Sequence, residues 1–255
     1  MSILFDILEK RLSARDETTP LTELRAAVNQ CEAPRDFLGA LRGARGPAVI
    51  AEIKFKSPSK GVLRNDRDVE RIAKSYTTNG AAALSVITEE RFFDGSFDLL
   101  ARAKRASALP ILRKDFLWDE RDLLEARLHG ADATLLIAKM LDRGRLLDLR
   151  FMAQELGLGV LLELHDENDL KTAQGISGVA WGVNHRNLDT LSIDLNVSAR
   201  LFPLLPKVEI KVAESGIESR DQLSEMKSRG ANAVLVGTSL MRADDPGKAL
   251  RELLN

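Results

Sequence analysis

Eight short apolar runs punctuate the chain, at 48–53, 82–87, 109–113, 133–137, 159–163, 179–183, 208–213 and 233–237. Each is nearly continuous in Val, Ile, Leu and Ala instead of alternating with polar residues, the pattern of parallel strands covered on both faces. Between the runs, apolar positions recur at helical spacing: Val69, Ile72, Ala73 and Tyr76; Leu123, Leu124 and Leu128; Leu146, Leu149, Met152 and Leu156. Each stripe predicts a helix that buries one face. Boundary residues agree with this division. Ser219 is placed to cap a helix running to Arg229 with Gly230 as its stop, and Pro246 sits in the first turn of a last helix, where its missing N–H is harmless.

Eight strand–helix units in about 210 residues predict an α/β fold of the (β/α)8 TIM barrel kind, whose functional groups gather at the C-terminal strand ends. An open doubly wound sheet is the alternative, because strand count alone does not establish closure. Residues 1–45 form an N-terminal helical extension. Ile3, Ile7 and Leu8 make one stripe, and Thr19-Pro20 opens a second helical run with Leu24, Ala27 and Val28. A pair of helices capping one barrel end is expected, with enclosure of a substrate as the sharper alternative. No linker or low-complexity segment divides 1–255, which reads as one barrel domain with no further domain appended after the eighth helix.

Composition narrows the partners. With 37 basic and 38 acidic side chains the formal charge is −1, which argues against nonspecific nucleic-acid binding as the main role while leaving room for a local basic pocket. Cys31 is alone, so no intramolecular disulfide forms, and neither a signal-peptide core nor a membrane-length apolar stretch opens the chain. A cytoplasmic protein is expected. His129, His165 and His185 are scattered without metal-ligand spacing, so a structural zinc site is not expected, and no Gly-rich nucleotide fingerprint occurs.

Polar groups recur where the apolar runs end. The first run delivers Glu52 and Lys54, then Ser57-Pro58-Ser59-Lys60-Gly61; the second Ser85 and Thr88-Glu89, followed by Phe93-Asp94-Gly95-Ser96; the third Lys114-Asp115-Phe116. The fifth delivers Glu163, the sixth Asn184-His185-Arg186-Asn187, the seventh Glu214-Ser215-Gly216-Ile217 and the eighth Gly237-Thr238-Ser239. One lysine or glutamate at a strand end is ordinarily a solvated or salt-bridged terminus, but recurrence across so many ends predicts an acid/base site. Gly216 and Gly237 would let backbone N–H groups approach an anion, and Ser215 and Thr238 add hydroxyl donors, where barrels of this kind often hold phosphate.

These segments together, running in order from about Val49 to Met241 and including Asn184-His185-Arg186-Asn187-Leu188 and Gly237-Thr238-Ser239-Leu240-Met241, resemble the indole-3-glycerol-phosphate synthase family. The resemblance implies a cofactor-free barrel enzyme of tryptophan biosynthesis. Its small-molecule substrate would be 1-(2-carboxyphenylamino)-1-deoxyribulose 5-phosphate, converted by ring closure with loss of carbon dioxide and water. It also implies roles. Lys114 corresponds to the general acid and Glu163 to the base of the later dehydration; Lys54 and Arg186 correspond to partners of the aryl carboxylate, with Glu52 and Asn184 orienting substrate oxygens and lysines. Ser57, Ser215, Gly216, Gly237 and Thr238 correspond to the phosphate cradle. Glu214 is either a substrate ligand or part of a structural network, and Phe93 and Phe116 either line the ring pocket or belong to the core.

The bland alternatives are a Lys114–Asp115 salt bridge and a Glu163 that merely pairs a strand-end lysine. Two departures from the family pattern stand out: His185 where asparagine is usual, and Thr238 where serine is common. Thr238 keeps the hydroxyl, and His185 is expected to be an exposed, harmless neighbour of Asn184. Another phosphate-binding barrel enzyme, such as a sugar-phosphate isomerase, or a non-catalytic phosphometabolite-binding barrel would keep Gly216 and Gly237 without needing Lys114 and Glu163 together. The 57–61 loop is expected to close over the substrate. No protein partner is indicated.

Overall fold

All eight runs become parallel strands of one closed sheet: β1 Ala48–Ile53, β2 Ala83–Ile87, β3 Ile111–Lys114, β4 Ala133–Ile137, β5 Gly159–Leu164, β6 Ala180–Asn184, β7 Ile210–Glu214 and β8 Ala233–Val236. The computed structural model describes residues 3–44, 46–206 and 210–255. Residues 208 and 209 of the expected seventh run therefore lie outside the described residues. Each strand pairs with the next in sequence, and β8 closes on β1 through Ala48↔Ala233 to Ala51↔Val236. Closure excludes the open doubly wound alternative. The strands are buried almost throughout because helices cover the sheet outside and side chains fill it within.

Helix boundaries follow the local chemistry. Ser219 caps the helix Arg220–Ser228 by accepting from the Gln222 N–H, while the Gln222 side chain returns to the Ser219 N–H in a capping box. The chain leaves this helix through Gly230 at φ +95°, a conformation that favours glycine. Pro246 opens the last helix, Pro246–Leu254, behind an Asp245 cap. Val69, Ile72, Ala73 and Tyr76 are buried, as their spacing predicts. Among the described residues no helix is long and apolar enough to cross a membrane.

The extension holds three helices, not two, and they do not share one end of the barrel. Helix α1 (Ile3–Ala14) lies over the C-terminal strand ends, where Leu4 and Ile7 line a cavity with Ser57, Phe93 and Arg186. Ile7 and Leu8 are buried; the side chain of Ile3 lies outside the described residues. Helix α2 (Leu21–Val28) packs Leu24 and Val28 against Leu124 on the barrel's flank, leaving Ala27 exposed, contrary to the stripe reading. Helix α3 (Phe37–Arg42) plugs the opposite end. A Cβ on Gly159, the first residue of β5, would stand 3.1 Å from the Phe37 Cβ, so glycine there admits the plug.

A buried ion network bolts α1 to the residue after Lys114. Arg11 reaches Asp115 at 3.1 Å and Asp122 at 2.5 Å, and Arg113 donates to Asp115 at 2.9 Å and to the Asp122 carbonyl at 2.7 Å. Thr88 donates its hydroxyl to Asp115 at 2.6 Å. Burial works against ionisation of Asp115 and Asp122, but Arg11 and Arg113 outweigh it and hold both carboxyls below the ordinary aspartate range. Removing one partner leaves charge uncompensated, so Arg11→Ala is expected to cost about 3–5 kcal/mol, read by urea denaturation. A loss under about 1 kcal/mol would mean α1 is held chiefly by its apolar face. Because the folded pKa values are depressed, this stabilisation is present above the unfolded aspartate pKa of about 3.9 and is lost as pH falls below it.

Candidate active site

Residues two apart on a strand share a face. Glu52 and Lys54 at the end of β1 therefore point the same way, into the barrel mouth, and their side chains pair at 2.5 Å. Opposite them, Lys114 from β3 reaches across the mouth. Its Nζ lies 2.9 Å from Glu163 Oε2 and 3.4 Å from Glu214 Oε2. The expected alternative of a Lys114–Asp115 bridge does not form, because Asp115 turns outward to Arg11 and Arg113.

These groups line a cavity of about 210 Å³ at the C-terminal strand ends. Glu52, Lys54, Phe93, Lys114, Phe116, Glu163, Asn184, Arg186, Glu214, Ser215, Gly216, Gly237 and Thr238 all border it. Ser57 does not. It lines an adjoining cavity of about 80 Å³ that shares Lys54, Phe93, Phe116, Arg186 and Thr238, and its hydroxyl accepts from the Lys60 N–H at 3.2 Å. Phe93 and Phe116 face each other at 6.2 Å between ring centroids and form an aromatic wall common to both spaces.

Two glycines make room for carboxylates. A Cβ on Gly182 would come within 2.1 Å of Glu214 Oε1, and one on Gly237 within 2.4 Å of Glu52 Oε1. Gly237 thus clears space for Glu52, a task beyond the backbone approach expected of it. Gly216 has the left-handed φ of +80° that favours glycine, and it follows Ser215 at φ +67°, a strained value for a residue with a Cβ. Asn184 accepts from the Arg186 N–H at 3.0 Å, while the Arg186 guanidinium donates to the Leu191 carbonyl at 2.9 Å.

Against this geometry, the chain matches the indole-3-glycerol phosphate synthase family model over residues 3–253. The chain belongs to the indole-3-glycerol phosphate synthase family. It is 46% identical to the indole-3-glycerol phosphate synthase of Albidiferax ferrireducens, over 97% of this chain and 98% of that one. It is 47% identical to the one from Legionella pneumophila strain Paris, over 86% and 85% of the two chains. Among solved structures, a tryptophan synthase α-subunit from Pyrococcus furiosus superposes with a TM-score of 0.60 at 14% identity, covering 82% of this chain and 98% of that one. A thiamine phosphate pyrophosphorylase from the same organism gives 0.58 at 14% identity, covering 82% and 93%. At that identity the two structures bear on the barrel fold alone.

In this synthase-family barrel two glutamates compete for one ammonium. Burial pushes the Glu214 carboxyl up to about 8, with the nearby Glu163 charge adding to the rise. Glu163 is equally buried, but Lys114 and His165 together draw it well below the ordinary glutamate range. Lys114 is desolvated too, yet the surrounding carboxylates raise it above its ordinary value and keep it an ammonium. The two carboxyls that share the site are thus pushed in opposite directions.

His165 has a place here that sequence reading missed. Its Nε2 lies 3.3 Å from Glu163 Oε1 and its Nδ1 3.3 Å from Asp169 Oδ2, with the ring buried. The signal was the spacing Glu163-x-His165, which puts both on one strand face. Its two carboxylate neighbours overcome desolvation and lift the ring to about 9. Because the folded pKa exceeds the unfolded one, the contribution of His165 to stability is complete below about pH 6.5 and is lost as pH rises through about 9. Folded protein is expected to show an imidazole titrating near 9 by NMR, absent in His165→Asn; a ring titrating at its ordinary value would refute the bracketing. Lys60 is a second addition, bordering the main cavity from the 57–61 loop.

His185 reverses the sequence expectation. It is only 1% exposed and points away from the cavity, with Nδ1 2.8 Å from the Ser215 carbonyl oxygen.

Proposed function

We infer that the chain acts as an indole-3-glycerol-phosphate synthase, closing the indole ring of 1-(2-carboxyphenylamino)-1-deoxyribulose 5-phosphate. That substrate requires two anion sites separated by a proton donor. Lys54 and Arg186, both bordering the cavity, suit the aryl carboxylate, since a guanidinium offers a planar fork of donors. The Ser215-Gly216 turn and Gly237-Thr238 suit the phosphate, with Ser57 supplementing them from the adjoining space. The aromatic ring then lies against Phe93 and Phe116.

The observation that carries the reading is the Lys114–Glu163 pair, a lysine ammonium 2.9 Å from an ionised carboxylate inside the cavity. Lys114 delivers its proton to the substrate carbonyl oxygen as the carboxylate-bearing aromatic carbon bonds to the carbonyl carbon, so the oxygen becomes a hydroxyl. Loss of carbon dioxide returns the electron pair to the ring. The hydroxyl takes up a second proton, from Lys54 in the same cavity, and leaves as water, while Glu163, held as a carboxylate, accepts the proton released from the neighbouring methylene carbon as the indole double bond forms. Glu214, with its carboxyl pushed upward, is a further ligand for a substrate oxygen, and Glu52 and Asn184 orient Lys54 and Arg186.

Incubating the purified protein with the carboxyphenylamino deoxyribulose phosphate is expected to yield indole fluorescence without added cofactor or metal. Binding without fluorescence would instead support a non-catalytic phosphometabolite-binding barrel, and neither binding nor product would defeat the reading. The small-molecule substrate accounts for the cavity; a nucleic-acid or protein partner plays no part in the proposal.

A further inference from the structure

We propose that His185 is a positioning residue that couples the Arg186 segment to the phosphate-binding turn, fixing Ser215-Gly216 against the end of β6. The inference rests on the phosphate-binding part of the proposed function. Three contacts carry it. The His185 N–H donates to the Glu214 carbonyl at 2.9 Å, the His185 carbonyl accepts from the Asp194 N–H at 2.9 Å, and the ring nitrogen Nδ1 meets the Ser215 carbonyl at 2.8 Å. A carbonyl only accepts, so Nδ1 carries the proton. One residue therefore ties β6, the loop that follows it and the β7 turn together.

The neighbours of Arg186 complete the link. The loop folds back through an Arg186–Ile193 bridge, and Ile193 and Leu195 press on Gly216, where an added Cβ would approach them to 2.6 and 3.0 Å. Gly216 is therefore held both by this apolar cover and, through Ser215, by His185. Ser215 needs such restraint because φ +67° is costly for serine, and a strained residue persists only where its surroundings over-determine it. Arg186 and the turn are placed by adjacent residues of one hydrogen-bonded unit, so the distance between the two anion sites depends on His185.

The ring is neutral for a physical reason. Burial lowers its pKa, the Arg229 guanidinium acts in the same direction, and Asp194, Glu225 and the Ser215 contact oppose them. Among the described residues its buried Nε2 has no hydrogen-bond partner, so the ring's one hydrogen bond is at Nδ1. Asparagine carries its amide nitrogen on the same Cγ to which Nδ1 is attached, so His185→Asn keeps a donor in nearly the same place. His185→Ala removes it.

Inorganic phosphate binding, measured by calorimetry on the intact protein, tests the proposal independently of turnover. His185→Ala is expected to weaken phosphate binding about tenfold, the loss of one buried hydrogen bond, while His185→Asn stays within about threefold of the parent. In turnover the loss should fall on KM more than on kcat. Nitrogen NMR of the parent should find His185 neutral and protonated on Nδ1 at pH 7; this reading needs no variant to fold. A folded His185→Ala with unchanged phosphate affinity, a ring protonated on Nε2 instead, or a parent that does not bind phosphate would each overturn the inference. A parent that binds phosphate, loses affinity on His185→Ala and forms no indole product would sink the proposed reaction alone.

Discussion

Lys114→Met is expected to lower turnover by about three orders of magnitude, the combined loss of a proton donor and of a buried cation opposite developing negative charge. Methionine nearly preserves the chain length, so the cavity keeps its shape. What changes is the charge balance: Glu163 retains His165 at 3.3 Å but loses the ammonium at 2.9 Å, and Glu214 loses its 3.4 Å neighbour. Both carboxyls then shift upward. The measurement is single-turnover release of carbon dioxide alongside indole fluorescence. Both should fall together, because the variant fails before the new carbon–carbon bond commits the substrate. Turnover within tenfold of the parent, in protein with an unchanged thermal transition, would remove Lys114 from the acid's role.

Glu163→Gln is expected to lower indole formation by about 10²–10³-fold, within the range of general-base catalysis, but to fail at a different step. With Lys114 still in place, ring closure and decarboxylation proceed, so carbon dioxide should appear in a burst that outruns fluorescence. Loss of both signals in parallel would place Glu163 before decarboxylation and contradict its assignment to dehydration. A second readout follows from the coupling. The Glu163 charge contributes to holding Glu214 up near 8. Once that charge is gone, Glu214 should ionise at lower pH and take over Lys114, which infrared titration of the carboxyl band would detect. An unchanged Glu214 titration would mean burial alone sets it.

Much of this architecture was legible beforehand because it rests on short-range rules. A run such as Ala233–Val236 is apolar at every position, and only a strand covered on both faces buries every position. Ser219 with Gln222 marked its helix start because capping needs only a hydroxyl and an amide three residues apart. The seventh- and eighth-strand glycines marked a close approach, although Gly237 proved to clear space for Glu52 as well. The extension was harder. Nothing local says that α1 lies on the catalytic mouth while α3 plugs the far end; that follows from Arg11 meeting Asp115 and Asp122, more than 100 residues away in sequence.

The histidines show the same boundary from the other side. His165 is two residues from Glu163, so its face was predictable, but its charge was not: that depends on Asp169 folding back to 3.3 Å. His185 looked like an exposed substitution for asparagine because its neighbours Asn184 and Arg186 face the cavity, and only the register Asn184↔Glu214 brings its ring under the Ser215 carbonyl.

By itself the sequence determined the eight strands and the order of their charged ends, since periodicity and strand-end position are local properties of the chain. Tertiary structure alone decided which charges meet and in what state. Lys114 and Glu163 stand 49 positions apart in sequence and 2.9 Å apart in space, and Glu163 and Glu214 are the same residue type with their pKa values pushed in opposite directions. Coulomb and desolvation energies depend on distance and burial, and barrel closure sets both.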